Sequence, residues 1–139
     1  MITVSRLDHF AIAAENTDAM VAWYEKVLGL VVHVVSGPNP PQKQKVYLIG
    51  PAGASGGLAQ GYMIEVMPRN ETPRHNRNSH EPGLSHAAWC VENFDEALAH
   101  LKANGVKFLS EVIPAIGGGR IVSFEDCEGN MTQIVERKK

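Results

Sequence analysis

Along the chain the spacing of apolar residues changes period in the same order twice. Over residues 7–14 bulky and small side chains alternate. Phe10, Ile12 and Ala14 fall on one face of a strand and His9, Ala11 and Ala13 on the other. Met20, Val21, Trp23, Tyr24, Val27 and Leu28 then recur at helical spacing, with Thr17 as a candidate N-cap, Asp18 suited to the positive helix start and Gly29 as the stop. Strand-like runs follow at 30–36, 45–49 and 61–67, separated by a Pro/Gly turn at 37–41 and a Gly/Ala-rich stretch at 51–57 that reads as a mobile connection. After a polar stretch the sequence of patterns restarts. A strand covers 84–91, and Asn93 with Glu96 resembles a capping box. Phe94, Ala97, Leu98 and Leu101 mark a helix that Gly105 closes. A short strand at 106–109, a Gly-rich loop at 114–119 and strands at 120–124 and 131–136 complete the chain. Strand, helix and three strands, made twice, predict an α+β protein of two tandem βαβββ modules. Module one spans about 5–68, the linker about 69–82 and module two about 83–137.

The two halves also share residues. With His86 set on His9, Ala88 falls on Ala11, Glu92 on Glu15, Asn93 on Asn16, Asp95 on Asp18 and Ala99 on Ala22, without a gap. We read this as an internal duplication. Each copy also ends in a strand with a glutamate near its end, Glu65 in the first and Glu136 in the second. If the copies pack about a pseudo-twofold axis, His9, Glu65, His86 and Glu136 are expected to converge. Two neutral imidazoles and two carboxylates carry a charge of −2, which one divalent ion offsets; the donor types suit Zn, Ni, Co, Mn or Fe. Taken singly, a strand histidine or a strand-end glutamate is more often an ordinary core or surface residue. The repetition of the pair is what points to metal. His33, His75, His80 and His100 have no partner in the other half and are read as non-ligands.

Bulk composition narrows the function classes. A 44% hydrophobic fraction in 139 residues supports a core of one ordinary domain or two small halves. A net charge of −2, with no basic run except 137–139, argues against nucleic acid and membrane-surface partners. No apolar run reaches the length of a membrane span, and residues 1–6 lack the features of a signal peptide. Cys90 and Cys127 make no disulfide framework, so a cytoplasmic protein is expected.

The residues 7–13, Leu-Asp-His-Phe-Ala-Ile-Ala, together with 23–30, 83–86 and the 126–130 turn Asp-Cys-Glu-Gly-Asn, resemble the vicinal oxygen chelate superfamily. That group includes glyoxalase I, methylmalonyl-CoA epimerase, extradiol dioxygenases and the bleomycin- and fosfomycin-resistance proteins. The resemblance implies a curved, cup-shaped mixed sheet with helices outside. It implies one divalent metal held by His9, Glu65, His86 and Glu136, a small-molecule substrate with adjacent oxygens, and a homodimer. It further implies a glyoxalase I-like lyase or isomerase that moves a proton next to a carbonyl through a metal-stabilised enediolate, with Glu136 as base and Glu65 as its partner. Contacts to glutathione are not carried over, since Ala13 and Arg69 stand where the bacterial glyoxalases commonly have Arg and Asn. The alternatives are an epimerase-like enzyme, a metal-free drug-binding protein and a three-ligand dioxygenase-like enzyme. Arg69, Arg74, Arg77 and Arg120 are candidates to hold an anionic substrate group, and the loop about residues 116–119 is a candidate lid.

Overall fold

The computed structural model describes residues 1–53 and 61–138. From residue 54 on, the connection expected at 51–57 lies outside the described residues. The chain divides into two compact units, Met1–Pro73 and Arg74–Lys139. Each is a βαβββ module, and the fold is α+β.

In the first unit β1 (His9–Ala14) leads into α1 (Thr17–Leu28), followed by β2 (Val31–Ser36), β3 (Val46–Gly50) and β4 (Met63–Pro68). The sheet order is β1-β4-β3-β2, with β1 parallel to β4 and the other pairs antiparallel. The parallel pair follows from the duplicated pattern, because the helix and hairpin between β1 and β4 supply the crossover such a pair needs. The core lies between helix and sheet: Met20, Tyr24 and Val27 of α1 are buried with Ala14, Ile49, Ile64 and Val66 of the strands. Each of these larger side chains contributes roughly 1.5–3 kcal/mol through burial. The helix is capped one residue earlier than expected. Asn16 is the N-cap, its Oδ1 accepting from the Ala19 N–H at 2.9 Å, while Thr17 is buried as the first helical residue. Gly29 ends the helix in the left-handed region as expected.

The second unit repeats the order with β5 (Ala87–Cys90), α2 (Phe94–Ala103), β6 (Ile113–Pro114), β7 (Arg120–Glu125) and β8 (Met131–Val135), giving the sheet β5-β8-β7-β6. Its core sets Phe94 and Leu101 of α2 beside Val122, Phe124 and Ile134. The Asn93 cap is confirmed: its side chain accepts from the Glu96 N–H. The short strand expected at 106–109 is not continuous. Phe108 makes one bridge to Phe124, the Ser110 hydroxyl then accepts the Ser123 N–H at 3.0 Å, and pairing resumes only at Ile113–Pro114. A side-chain oxygen has taken a ladder position, which interrupts the strand.

The 114–119 loop is the tight end of the β6–β7 hairpin. Arg137 Nη1 donates to the carbonyls of Ile116 (2.6 Å) and Gly118 (3.0 Å), so the end of the chain latches the tip.

Candidate functional site

His9 opens β1, and its Cα pairs with that of Met63; Ala11, two residues on, pairs with Glu65. Alternation along each strand places His9 and Glu65 on the face away from α1. There His9 Nε2 stands 3.2 Å from a Glu65 carboxylate oxygen, and His9 Nδ1 stands 2.7 Å from Asp8 Oδ2. Both ring nitrogens thus face carboxylates. Asp8 accepts a hydrogen bond from Nδ1–H, and in the neutral ring this leaves the Nε2 lone pair facing Glu65. A lone pair and a carboxylate oxygen repel at this distance unless a proton or a cation lies between them. Two donors each about 2.1 Å from one cation stand roughly 3.0–3.4 Å apart as neighbours in octahedral or tetrahedral geometry. The His9–Glu65 separation fits that range, so this pair suits a divalent ion.

In the second unit His86 directly precedes β5, and its Nδ1 is 2.8 Å from the Ser85 hydroxyl. Its Nε2 makes no hydrogen bond to any described residue, leaving a donor for a cation. The strand register then identifies the position that repeats Glu65. Ala88, the repeat of Ala11, pairs with Gln133. Gln133 therefore occupies in the second sheet the place Glu65 occupies in the first. It is 8% exposed, and its amide nitrogen donates to the Ser123 hydroxyl at 2.9 Å, which leaves its carbonyl oxygen as an acceptor.

Glu136, expected as the fourth member of the set, lies three residues beyond Gln133 and so on the other face of the strand. Both its oxygens accept from Arg120, from Nε and Nη2 at 2.9 Å each. Arg120 also donates to Asp95 at 2.9 Å and stacks over the Phe94 ring at 4.6 Å, which puts the whole cluster against the start of α2. The hydrogen bonds from Arg120 hold the Glu136 carboxyl below the usual carboxylate range, and those to Glu136 and Asp95 raise Arg120 further. A carboxylate engaged on both oxygens by a guanidinium is poorly placed to hold a metal. Among the described residues, no group of three or more His, Cys, Asp or Glu side chains gathers in a metal-holding cluster.

The signal for Gln133 was present in the sequence. Met63-Ile64-Glu65-Val66 and Met131-Thr132-Gln133-Ile134 share the order methionine, β-branched residue, acid or its amide, β-branched residue. Matching the last glutamate of each half instead slips the register by three.

A cavity of about 850 Å³ opens within the second unit. Ser85, bonded to His86, and Ser123, bonded to Gln133, both line it, so the cavity adjoins both histidine-side and amide-side positions of this half. Two of the remaining histidines are used otherwise: His33 Nε2 donates to the Pro51 carbonyl at 3.1 Å, and His75 pairs with Glu81 at 3.1 Å. No helix among the described residues is long and apolar enough to cross a membrane.

Comparison with known proteins agrees with this architecture. The chain is 25% identical to the uncharacterized protein YaeR of Escherichia coli (strain K12), over 99% of this chain and all of that one. Its fold matches a member of the glyoxalase/bleomycin resistance protein/dioxygenase superfamily from Sphaerobacter thermophilus DSM 20745, with a TM-score of 0.73 at 18% identity over 96% of this chain and 98% of that one. It also matches a mutant of the fosfomycin resistance protein FosX from Listeria monocytogenes, solved with Mn(II) and 1S,2S-dihydroxypropylphosphonic acid, with a TM-score of 0.66 at 19% identity over 98% and 93% of the two chains. A family model matches residues 6–134. On that match and the two βαβββ modules, the chain belongs to the Glyoxalase/Bleomycin resistance protein/Dioxygenase superfamily.

Proposed function

We propose that the protein is a metal-dependent enzyme of the glyoxalase I-like lyase and isomerase kind, acting on a small molecule that presents adjacent oxygens. The observation that carries this reading is the line Asp8, His9, Glu65, in which an oriented imidazole and a carboxylate face each other at cation-bridging distance. His9, Glu65 and His86 would hold one divalent ion, with the Gln133 carbonyl oxygen at the fourth position. Glu136 is assigned to Arg120 in this scheme and not to the ion. When bound, the ion supplies Lewis-acid stabilisation of charge on a substrate oxygen.

The chain's own residues do the rest. Asp8 holds the His9 ring in place through the hydrogen bond it accepts from Nδ1–H. Glu65 is the one carboxylate left on the sheet face of the set, and its side chain is partly exposed. It takes the proton from the carbon next to the carbonyl and returns it to the neighbouring carbon or to the other face. Gln133 contributes a neutral oxygen that cannot compete for that proton. We further take the protein to be a cytoplasmic homodimer, in keeping with its family.

Metal content with a panel of variants tests the reading. After incubation with Ni, Co, Zn or Mn and removal of excess, about one ion per chain is expected, lowered by His9→Ala, Glu65→Gln and His86→Ala and retained in Glu136→Gln. With 2-oxoaldehyde–thiol adducts or acyl-CoA thioesters in deuterated solvent, Glu65→Gln should stop exchange at the carbon next to the carbonyl. No binding of any of the four ions, or loss of binding in Glu136→Gln with retention in Glu65→Gln, would sink the proposal. The first of these outcomes leaves a metal-free binding protein as the better account.

A further inference from the structure

Six charged or titratable side chains line the cavity of the second unit: Arg74, His75, Arg77, Lys107, Glu125 and Glu128. Most of the cations are already used. Lys107 pairs with Glu125 at 3.1 Å, and His75 with Glu81 at 3.1 Å. Arg77 donates to the carbonyls of Glu81, Pro82 and Leu84, which folds the polar segment before β5. Arg74 differs. Its one hydrogen bond among the described residues goes to a neutral amide, Asn130 Oδ1, at 3.1 Å, and no described carboxylate lies within ion-pair distance.

That single contact is itself fixed. Asn130 Nδ2 donates to Asp126 Oδ2 at 2.9 Å, and the Asn130 backbone N–H donates to Asp126 Oδ1 at 2.9 Å. Asp126 is buried. The turn therefore sets which end of the Asn130 amide faces Arg74: the nitrogen is committed to Asp126 and the oxygen is left to accept. A guanidinium has five N–H donors in a planar fork, and here one is used. The rest of its donor capacity, and its full positive charge, face a cavity whose wall adds the hydroxyls of Ser110 and Ser123.

We propose that Arg74 is the anchor for an anionic group, a carboxylate or phosphate, on the small molecule this cavity takes. Among the four arginines named from the sequence it is the one suited to this. Arg69 is paired with Glu15 and bonded to the Asn70 and Thr72 carbonyls, Arg77 is committed to three carbonyls, and Arg120 is clamped between Glu136 and Asp95. The inference deepens the proposed function by naming a substrate class, small organic acids or phosphate esters. It rests on that reading for the use of the cavity, but anion binding itself requires no metal.

The test is a titration of chelator-treated, isotopically labelled protein with inorganic phosphate and, separately, with sodium acetate at constant ionic strength, followed by amide NMR. Saturable shifts are expected at 74–79, 123 and 130. Arg74→Ala should weaken binding about tenfold or more, the scale of losing charge-assisted hydrogen bonds. Arg74→Lys, which keeps the charge and loses the fork, should fall between, and the charge-matched Lys43→Ala should leave affinity unchanged. Spectral dispersion of each variant reports its folding. Saturation by phosphate alone names a dianion, by acetate alone a carboxylate, and by both a site open to either. No saturable binding in the natural protein, or equal affinity in a folded Arg74→Ala, overturns the assignment. Because metal is absent throughout, failure of the metal reading and failure of this one are separately visible.

Discussion

Single side chains decide how this site is read, and Glu136 and Gln133 are the clearest pair. Sequence alone supplies two histidines in register and a glutamate near the end of each module. It does not supply the pairing of strands, and a slip of an odd number of residues changes the face. The observed pairing of Ala11 with Glu65 and of Ala88 with Gln133 settles which positions are equivalent. The Glu136–Arg120 pair also has a pH signature. A carboxyl held below its usual value by hydrogen bonds from a guanidinium binds its proton more weakly in the folded than in the unfolded chain. Its stabilising effect is therefore present above the unfolded value, near 4.5, and is lost as pH falls through the lower folded value. Glu136→Gln should be less stable than the natural chain at pH 7, with the difference shrinking as acid is added. Urea unfolding at stepped pH reads this, and a difference that does not vary with pH would refute it. The pair is half-buried at the surface and screened by salt, so the effect is small.

At the level of elements, both helices, both N-terminal strands and the last three strands of module one were legible from periodicity, because each presents one buried face to one helix. The segment 106–109 was not, because its pairing ends where the Ser110 hydroxyl replaces a backbone partner, and no hydropathy pattern records that substitution. The hairpin tip offered glycines and suggested a lid. At Gly119, with φ 84°, an added Cβ would run into the carbonyl group of Glu136. At Gly118, with φ 94°, an added Cβ meets nothing. Both alanine substitutions bear the cost of a positive φ, roughly 1–3 kcal/mol, and Gly119→Ala adds a clash with backbone. Gly119→Ala should therefore be clearly the less stable of the two in denaturant unfolding, whereas equal midpoints would show that the tip moves aside freely.

Taken whole, the molecule is a duplication whose halves have kept the scaffold and changed the chemistry. Gln133→Glu tests how far. The substitution restores the repeat, placing a carboxylate where Ser123 can donate a hydrogen bond to it. Without metal, a carboxylate at this buried position should lower stability, since its charge is removed from water. With a divalent ion the same change should tighten metal binding, measured by competition with a chelator, because it adds an anionic ligand. Opposite signs in the two states identify the position as part of the metal set; destabilisation in both would assign Gln133 a packing role only.

The neighbours that precede the two histidines carry a last consequence. Asp8 backs His9 with an anion, and Ser85 backs His86 with a neutral hydroxyl. The same divergence recurs at Glu65 against Gln133, and at Leu48 against Ser123, each pair joined to its neighbouring strand in the same register. At these positions the first copy carries two carboxylates, while the second carries neutral hydrogen-bonding groups. Duplication allows this division of labour, since a constraint shed by one copy is still met by the other. Exchanging whole modules would then yield not a symmetrised version of this protein but two different ones, a chain of two first halves with a carboxylate at each of these histidine-backing and sheet-face positions and a chain of two second halves with none.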